Sequence, residues 1–532
     1  MSQKFESKAD TLVFLQRKLK KGIIEELITF TVKKWQIEKK PILQKIKFQW
    51  WKINEIFNYK IIYVKLLKPN ILFLLVDSFN AEKFFGETKT SITPNIDYLI
   101  KNGTYFSKAI TVAPTTIPAI SSIFTGLYPF ESVKKTGKIL KINDQVENYL
   151  EKLRDFGYNT QAIVPKIISL VNLNSLFNNN IEEFDSFATL YDGVEEQILK
   201  KIDSNQNPWF CYIHLMDIHG KATFELNEGP KQYDDIKFGI NRYERMVSSM
   251  DIKLKKIIEK IDLENTIVVV TADHGSFTAN YDQDMEIQND ISNMKRDATT
   301  KENNLFKIGH KIFTNLPDTF NPLRKSIAGK YIEKRNKKIT SKIKSQLNET
   351  DFSGLSTYKK RLLKNSIAGN AKLFDDICRV PLLFSGYNIP KKIISEQVRN
   401  LDIFPTIFDL IGLDNKQNTS NQSLAPLMQG NQVKKLDTFI YSVTNSNEEV
   451  VIGIRTENYK YFRKINDQIE NASLFNLKND PYEEINLIKD KKNVAMELEQ
   501  KIEKILNSSR KADEDSNEDD EVEAELKKLG YL

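Results

Sequence analysis

The sequence predicts an α/β fold built around a large, mostly parallel sheet, with a small sheet subdomain near the C-terminus. Three observations predict it. Short unbroken apolar runs recur along the chain, as strands buried on both faces require. Helix-patterned stretches fall between them, and that alternation is the pattern of a parallel sheet. Two of the runs end in acids, at Asp77 and at Asp273-His274. In open α/β sheets ligands bind beyond the carboxyl ends of the strands.

Residues 1–68 read as a basic helical N-terminal extension, with 16 Lys/Arg against 6 Asp/Glu. Within it, residues 10–67 pattern as basic amphipathic helices carrying Trp35, Trp50 and Trp51. Such helices pack on the main domain, on a partner, or on a membrane surface as a peripheral contact. The main domain is expected at 69–434. It opens at Pro69 with the apolar run 70–76, which stops at Asp77-Ser78. Thr93-Pro94 then starts a helix as N-cap and first helical residue, and Gly103 ends it. Further buried strands are expected at 160–164, 209–214, 266–271 and 380–384, and a helix at 243–261. A basic helical insertion is expected at about 290–368, since residues 322–365 carry 13 basic and 3 acidic side chains. Compact structure returns at 396–413. A C-terminal sheet and helix subdomain is expected at 435–510, from short β-like runs at 438–443, 450–455 and 459–462. Residues 511–532, with 9 acidic and 3 basic side chains, are expected as an acidic tail with a short terminal helix.

The 532-residue chain is 40% hydrophobic and 10% aromatic, which supports a large core and excludes global disorder. Its two cysteines, Cys211 and Cys378, exclude a disulfide framework and a Cys-rich zinc module. No apolar run approaches the roughly 20 residues of a membrane-spanning helix. The first ten residues lack the apolar core of a signal peptide. The expectation is a soluble, cytoplasmic protein. Zinc-finger spacing, RNP aromatics and basic-zipper heptads are all missing, so no nucleic-acid partner is expected.

All four histidines, His214, His219, His274 and His310, fall within fewer than a hundred residues. Two strand-end carboxylates and an imidazole, Asp77, Asp273 and His274, suit a divalent metal that prefers oxygen and nitrogen ligands. Each acid could instead cap the next helix or turn. Between them, Pro114-Thr115-Thr116-Ile117-Pro118 precedes a helical run ending at Thr125-Gly126. That order places a threonine hydroxyl at a helix N-terminus, where anions are favoured; plain N-capping is the alternative. In Tyr212-Ile213-His214-Leu215-Met216-Asp217-Ile218-His219, strand alternation turns His214 into the sheet packing. His219 falls in the loop beyond.

These segments, in this order, resemble the sulfatase branch of the alkaline-phosphatase superfamily. The resemblance rests on Pro69-Asn70 leading to Asp77, Thr93-Pro94-Asn95-Ile96-Asp97, Thr125-Gly126-Leu127-Tyr128-Pro129 and Gly157-Tyr158-Asn159-Thr160. It continues through His214 to His219, Thr271-Ala272-Asp273-His274-Gly275, Arg379-Val380-Pro381 and Asp402-Ile403-Phe404-Pro405-Thr406. It closes at Leu474-Phe475-Asn476-Leu477 and Asn479-Asp480-Pro481. It covers roughly 69–490. It implies an alkaline-phosphatase-like sandwich in which 69–434 is the catalytic domain. It also implies a divalent ion (Ca²⁺, Mn²⁺, Mg²⁺ or Zn²⁺) held by Asp77, Thr116, Asp273 and His274, with Thr116 at the nucleophile position. His219 would contact the ester oxygens or protonate the leaving group. Lys166 corresponds, off by one in spacing, to a substrate-binding lysine. Asn370, Lys372 and His310 are alternatives for a further substrate contact.

Three departures from the family pattern carry chemical weight. The nucleophile position, a Cys or Ser that sulfatases oxidise to formylglycine, is Thr116. Its neighbours Ala119 and Ile120 replace a small polar residue and an arginine. Ser78 stands where many sulfatases have a second Asp. Two-electron oxidation of a secondary alcohol gives a ketone, so the gem-diol that expels sulfate by elimination is closed to Thr116. The expectation is therefore a metal-dependent, sulfatase-like hydrolase or transferase acting on phosphate or sulfate esters through Thr116, with phosphoesters favoured. A sulfuric ester hydrolase acting on a carbohydrate-type substrate is one alternative. An inactive scaffold that binds anionic glycans or partners is another. The partner class is an anionic ester, carbohydrate- or glycerol-linked. The scarcity of histidine points to a carboxylate-dominated centre with one ion rather than two.

Overall fold

The computed structural model describes residues 68–508 except 137–138, 205–206, 220–232, 234, 281–355, 369–372, 415–420 and 444–449; side chains of 363–368 are also outside the description. The chain divides into two units, Met1–Leu67 and Lys68–Leu532. The amphipathic stretch 10–67, most of the insertion at 290–368, and the tail 511–532 therefore lie outside the described residues.

Eight strands form the main sheet: β1 (Asn70–Val76), β2 (Gly103–Ile110), β5 (Asn159–Pro165), β6 (Ile181–Phe184), β7 (Trp209–Leu215), β8 (Thr266–Thr271), β9 (Arg379–Gly386) and β10 (Lys392–Arg399). Their order is β10-β2-β9-β8-β1-β7-β5-β6. Only β9 runs against its neighbours; the other pairings are parallel. The strands expected from apolar runs are all present. β2, β6 and β10 escape sequence reading because they are polar or part-exposed: β10 reads Lys-Ile-Ile-Ser-Glu-Gln-Val-Arg, with Ile393 58% exposed at the sheet edge. A hairpin of β3 (Val133–Thr136) and β4 (Ile139–Ile142) stands apart. The second sheet, β11 (Thr438–Ser442), β12 (Val451–Arg455), β13 (Tyr459–Lys464) and β14 (Ser473–Asn476), is antiparallel throughout.

The helices that matter for the site are α1 (Pro94–Lys101), α2 (Thr116–Thr125), α3 (Arg242–Lys260), α4 (Thr357–Ala368), α5 (Ile403–Ile411) and α6 (Lys492–Ser508). Pro94 opens α1 where a missing N–H costs nothing. Asp251 of α3 accepts the backbone N–H groups of Asn95 and Ile96 at 3.1 and 2.8 Å, fixing α1 against α3. Gly126 ends α2 in the left-handed region at φ 73°, and a side chain there would collide with Tyr149 Oη. That is why Thr125 is followed by glycine. No helix among the described residues is long and apolar enough to cross a membrane.

Pleat and register decide which side chains meet. Ile71, Phe73 and Leu75 of β1 pair with Phe210, Tyr212 and His214 of β7. Alternation puts these two rows on one face. Phe124 of α2 and Phe404 of α5 cover that face, with Phe404 5.2–6.0 Å from the rings of Tyr149, Phe124, Phe210 and Phe73. All of these rings are buried. The cluster is the floor on which α2, and so Thr116, rests. Phe404→Ala is expected to cost about 3–5 kcal/mol of stability, with Phe404→Leu costing clearly less; urea unfolding of the two variants measures the difference.

Candidate active site

The site forms where β1, β8 and α2 converge. Leu75 pairs with Thr271, so Asp77 and Asp273, each two residues further on, leave neighbouring parallel strands at the same level. Both carboxylates are fully buried. Thr116 is the first residue of α2; its Oγ1 lies 3.3 Å from Asp77 Oδ2 and 3.3 Å from His274 Nε2. Thr115, not Thr116, holds the N-cap position, and its side chain makes no capping bond. His274 Nδ1 lies 2.8 Å from the carbonyl of Gly275. A carbonyl only accepts, so Nδ1 carries a hydrogen, and Nε2 faces the cluster.

Polar contacts hold the two acids side by side. Asp77 Oδ1 accepts from Ser78 Oγ at 2.7 Å. Asp273 Oδ1 accepts the backbone N–H groups of Ser78 and His274 at 3.1 and 2.8 Å. Ser78 adopts φ 62°, which turns its N–H and hydroxyl toward different acids. Asn80 ties the loops together, accepting Ser276 N–H at 2.6 Å and donating to the Asp376 carbonyl at 2.9 Å. Gly275 donates to the Ile377 carbonyl, and a Cβ at Gly275 would stand 2.3 Å from the Asp376 carbonyl. The Asp-His-Gly triplet thus needs its glycine for close approach.

The donor set fits a cation. Asp273 Oδ2 is buried with no hydrogen-bond partner. It sits 3.4 Å from His274 Nε2. Ligand atoms of Asp77, Asp273 and His274 all lie within 4.8 Å of one another. Burial opposes a charged His274 ring, but Asp273 and then Asp77 outweigh it and raise its pKa. Burial likewise pushes the Asp77 carboxyl upward, but His219, the His214 hydrogen bond and the His274 charge bring it well below the usual carboxylate range. Two carboxylates and an imidazole are a donor set for Mn²⁺, Zn²⁺, Mg²⁺ or Ca²⁺.

The remaining expected residues are placed unevenly. His219 lies past β7 with Nε2 3.9 Å from Asp77 Oδ1 and its ring stacked on Phe187. Lys166 is exposed at the end of β5, which β7 separates from β1. It is therefore on the same sheet edge but outside the carboxylate–imidazole cluster. His310, Asn370 and Lys372 lie outside the described residues. His214 is fully buried in the sheet, as alternation predicts, and its Nε2 is 3.3 Å from Asp77 Oδ2, a contact not foreseen. Its strand row continues Phe210 and Tyr212 on the face that carries Asp77, a signal that needs the β1–β7 register. Ser78 and Asn80 as loop clamps were also missed; a lone Ser or Asn after a strand carries no distinguishing pattern.

The family model described as Sulfatase matches residues 69–413, and that described as N-sulphoglucosamine sulphohydrolase, C-terminal, matches 370–511. A choline-sulfatase of Rhizobium meliloti is 22% identical over 454 residues, covering 79% of this chain and 82% of the relative. An ulvan-active sulfatase of Formosa agariphila is 26% identical over 232 residues, covering 39% of this chain and 45% of the relative, so the chain spans less than half of that protein. Among solved structures, a 2-O GAG sulfatase superposes with a TM-score of 0.53 at 18% identity, covering 84% of this chain and 95% of the other, a likeness of fold.

Asp217, two residues before His219, yields a pH prediction. It is buried, accepts Leu190 N–H at 3.1 Å, and burial pushes its pKa up to about 7 from 3.8. Between those values the native state holds a proton that the unfolded chain has lost, so this contribution falls as pH rises through the window. Asp217→Asn removes it at little change in shape. Melting temperatures followed from about pH 5 to pH 8 should fall less for the variant, with an advantage at the alkaline end of at most roughly 4 kcal/mol.

Proposed function

The chain belongs to the sulfatase family of the alkaline-phosphatase superfamily, and on that premise we propose that it is a metal-dependent sulfate ester hydrolase whose nucleophile is the Thr116 hydroxyl. The family matches favour sulfate esters over the phosphoester preference expected from Thr116. The carrying observation is the position of Thr116 Oγ1, 3.3 Å from both Asp77 Oδ2 and His274 Nε2 at the start of a helix. Sulfated carbohydrate is the substrate class we infer, by analogy with the ulvan-active relative.

Asp77, Asp273 and His274, with Thr116, are the residues that would hold the cation. When bound, it supplies Lewis-acid chemistry, favouring the ionised hydroxyl and offsetting the charge on the ester oxygens. Asp77 orients the Thr116 hydroxyl, which loses its proton to water. Thr116 Oγ1 attacks sulfur, and the bond from sulfur to the ester oxygen breaks. His219 gives its proton to that oxygen, and the alcohol leaves. Thr116 now carries the sulfate as an O-ester. No elimination can expel it, so a water molecule must attack sulfur, with His219 taking the water's proton. Sulfate departs and Thr116 is restored. The N-terminus of α2 presents its free backbone N–H groups to the anion throughout.

A second reading has one observation in its favour. The threonine and the isoleucine at position 120 remove the formylglycine route, and direct attack by an alkoxide followed by hydrolysis serves a phosphate ester equally well. An acceptor alcohol in place of water would make the same site a transferase. Turnover of nitrophenyl sulfate, nitrophenyl phosphate and bis-nitrophenyl phosphate with added divalent ion separates these readings. Sulfate turnover is expected to lead. Thr116→Ala should lower it by at least about a thousandfold, as loss of a covalent nucleophile does, and Thr116→Ser should retain part. Full activity in Thr116→Ala would remove the nucleophile assignment. Intact-mass analysis of quenched reactions should find the sulfate adduct in the wild type and not in the alanine variant.

A further inference from the structure

We propose that His214, held by Tyr212, is the positioning residue that sets the orientation of the Asp77 carboxylate, and so the affinity of the site for its cation. The inference rests on the reading of Asp77, Asp273 and His274 as the cation-binding group.

The geometry runs through one buried line of atoms. Tyr212 Oη lies 2.9 Å from His214 Nδ1, and His214 Nε2 lies 3.3 Å from Asp77 Oδ2. Tyr212, His214 and Asp77 are all fully buried. A carboxylate oxygen only accepts, so Nε2 must carry a hydrogen. Nδ1 meets the tyrosine hydroxyl, which can donate to it or accept from it. The end of the line at Asp77 is thus fixed as a donor, and Tyr212 holds the ring from the other end.

Asp77 Oδ2 is also the oxygen that the Thr116 hydroxyl faces. With Ser78 holding Oδ1, the His214 hydrogen bond is what fixes rotation of the carboxylate about its last bond. Tyr212 and His214 occupy alternate positions on rigid β7, hydrogen-bonded on both sides by β1 and β5. The Tyr212 ring is locked by Phe73, Phe124 and Phe177 at 5.1–6.1 Å. A hydrogen-bond donor behind a ligating carboxylate fixes its orientation, and groups of this kind typically change metal affinity or activity by about 10–100-fold when removed.

The test is calorimetric titration of Mn²⁺, and separately Ca²⁺, into chelator-stripped full-length protein. His214→Phe, which keeps the ring volume and deletes the donor, should weaken binding by about 10–100-fold. Tyr212→Phe, which deletes one oxygen and should fold in any case, should weaken it by less. His214→Gln, whose amide can donate to Asp77 and accept from Tyr212, should recover most of the affinity. At saturating ion, His214→Phe should lower kcat for the best ester while KM holds. Wild-type affinity in both His214→Phe and Tyr212→Phe would overturn the proposal, and if His214→Phe does not fold, Tyr212→Phe decides. An Asp273→Asn control separates the two levels. If the wild type binds no ion, or Asp273→Asn binds as well as the wild type, the cation site itself is wrong. If only the His214 and Tyr212 variants are silent, the site stands and this role for His214 falls.

Discussion

Two carboxylates held side by side in a dry interior set the terms for the rest of this molecule. At about 4 Å, two like charges repel by roughly 4 kcal/mol even at an effective dielectric near 20, and burial adds a desolvation cost to each. Asp77 and Asp273 accept that arrangement because strand register delivers them to it. Three of their four oxygens are answered by hydrogen bonds within the protein. The fourth, Asp273 Oδ2, has no hydrogen-bond partner and lies 3.4 Å from His274 Nε2. It is the oxygen of this pair best placed to meet a cation under the proposed function.

Keeping the acids in place falls to the surrounding layers. Tyr243 of α3 donates to the Ser78 carbonyl at 2.8 Å and accepts Asn80 N–H at 3.1 Å, holding the turn that carries Asp77. The turn carrying His274 hangs on backbone groups of Asp376 and Ile377. Those residues follow Asp375, which is clamped by Arg455 of β12 at 2.7 Å and Lys460 of β13 at 2.6 Å. Burial raises the Asp375 pKa, but the two cations overcome it and hold the carboxyl ionised. Arg361 of α4 reaches Asp376 at 2.8 Å and the Glu483 carbonyl at 2.7 Å. The small C-terminal sheet is thereby part of the site's support. Breaking one member of such a buried pair typically costs about 3–5 kcal/mol.

Local chemistry was legible in the sequence, and contacts between distant segments were not. The apolar runs of β1 and β8 and the acids after them announce themselves because a strand buried on both faces must be apolar and a strand-end acid must be polar. Helix-start chemistry at Pro114 to Pro118 pointed to a threonine hydroxyl without choosing between Thr115 and Thr116, and the family resemblance singled out Thr116. His214 turns into the sheet as alternation predicts, but its partner there was not legible. Alternation gives the face of a residue within its own strand, and only pairing with β1 shows that Asp77 lies on the same face. The antiparallel direction of β9 has no local signature either, since its apolar pattern matches that of its parallel neighbours. β10 lies at an edge of the sheet, where burial relaxes and the apolar run breaks, and β2 beside it is interrupted by Ser107 and Lys108.

Ser78 shows how these levels join. In a position where the family often has a further acid, this chain has a small residue in a left-handed turn. A third carboxylate would add repulsion to a pair already under strain. Serine instead sends its hydroxyl to Asp77, its N–H to Asp273 and its carbonyl to Tyr243. The cluster keeps two carboxylates, Asp77 and Asp273, beside the His274 ring. Thr116 Oγ1 stands 3.3 Å from Asp77 Oδ2, at the start of α2 and on the aromatic floor built by Phe124 and Phe404, so the turn at Ser78 and the start of that helix meet at one carboxylate.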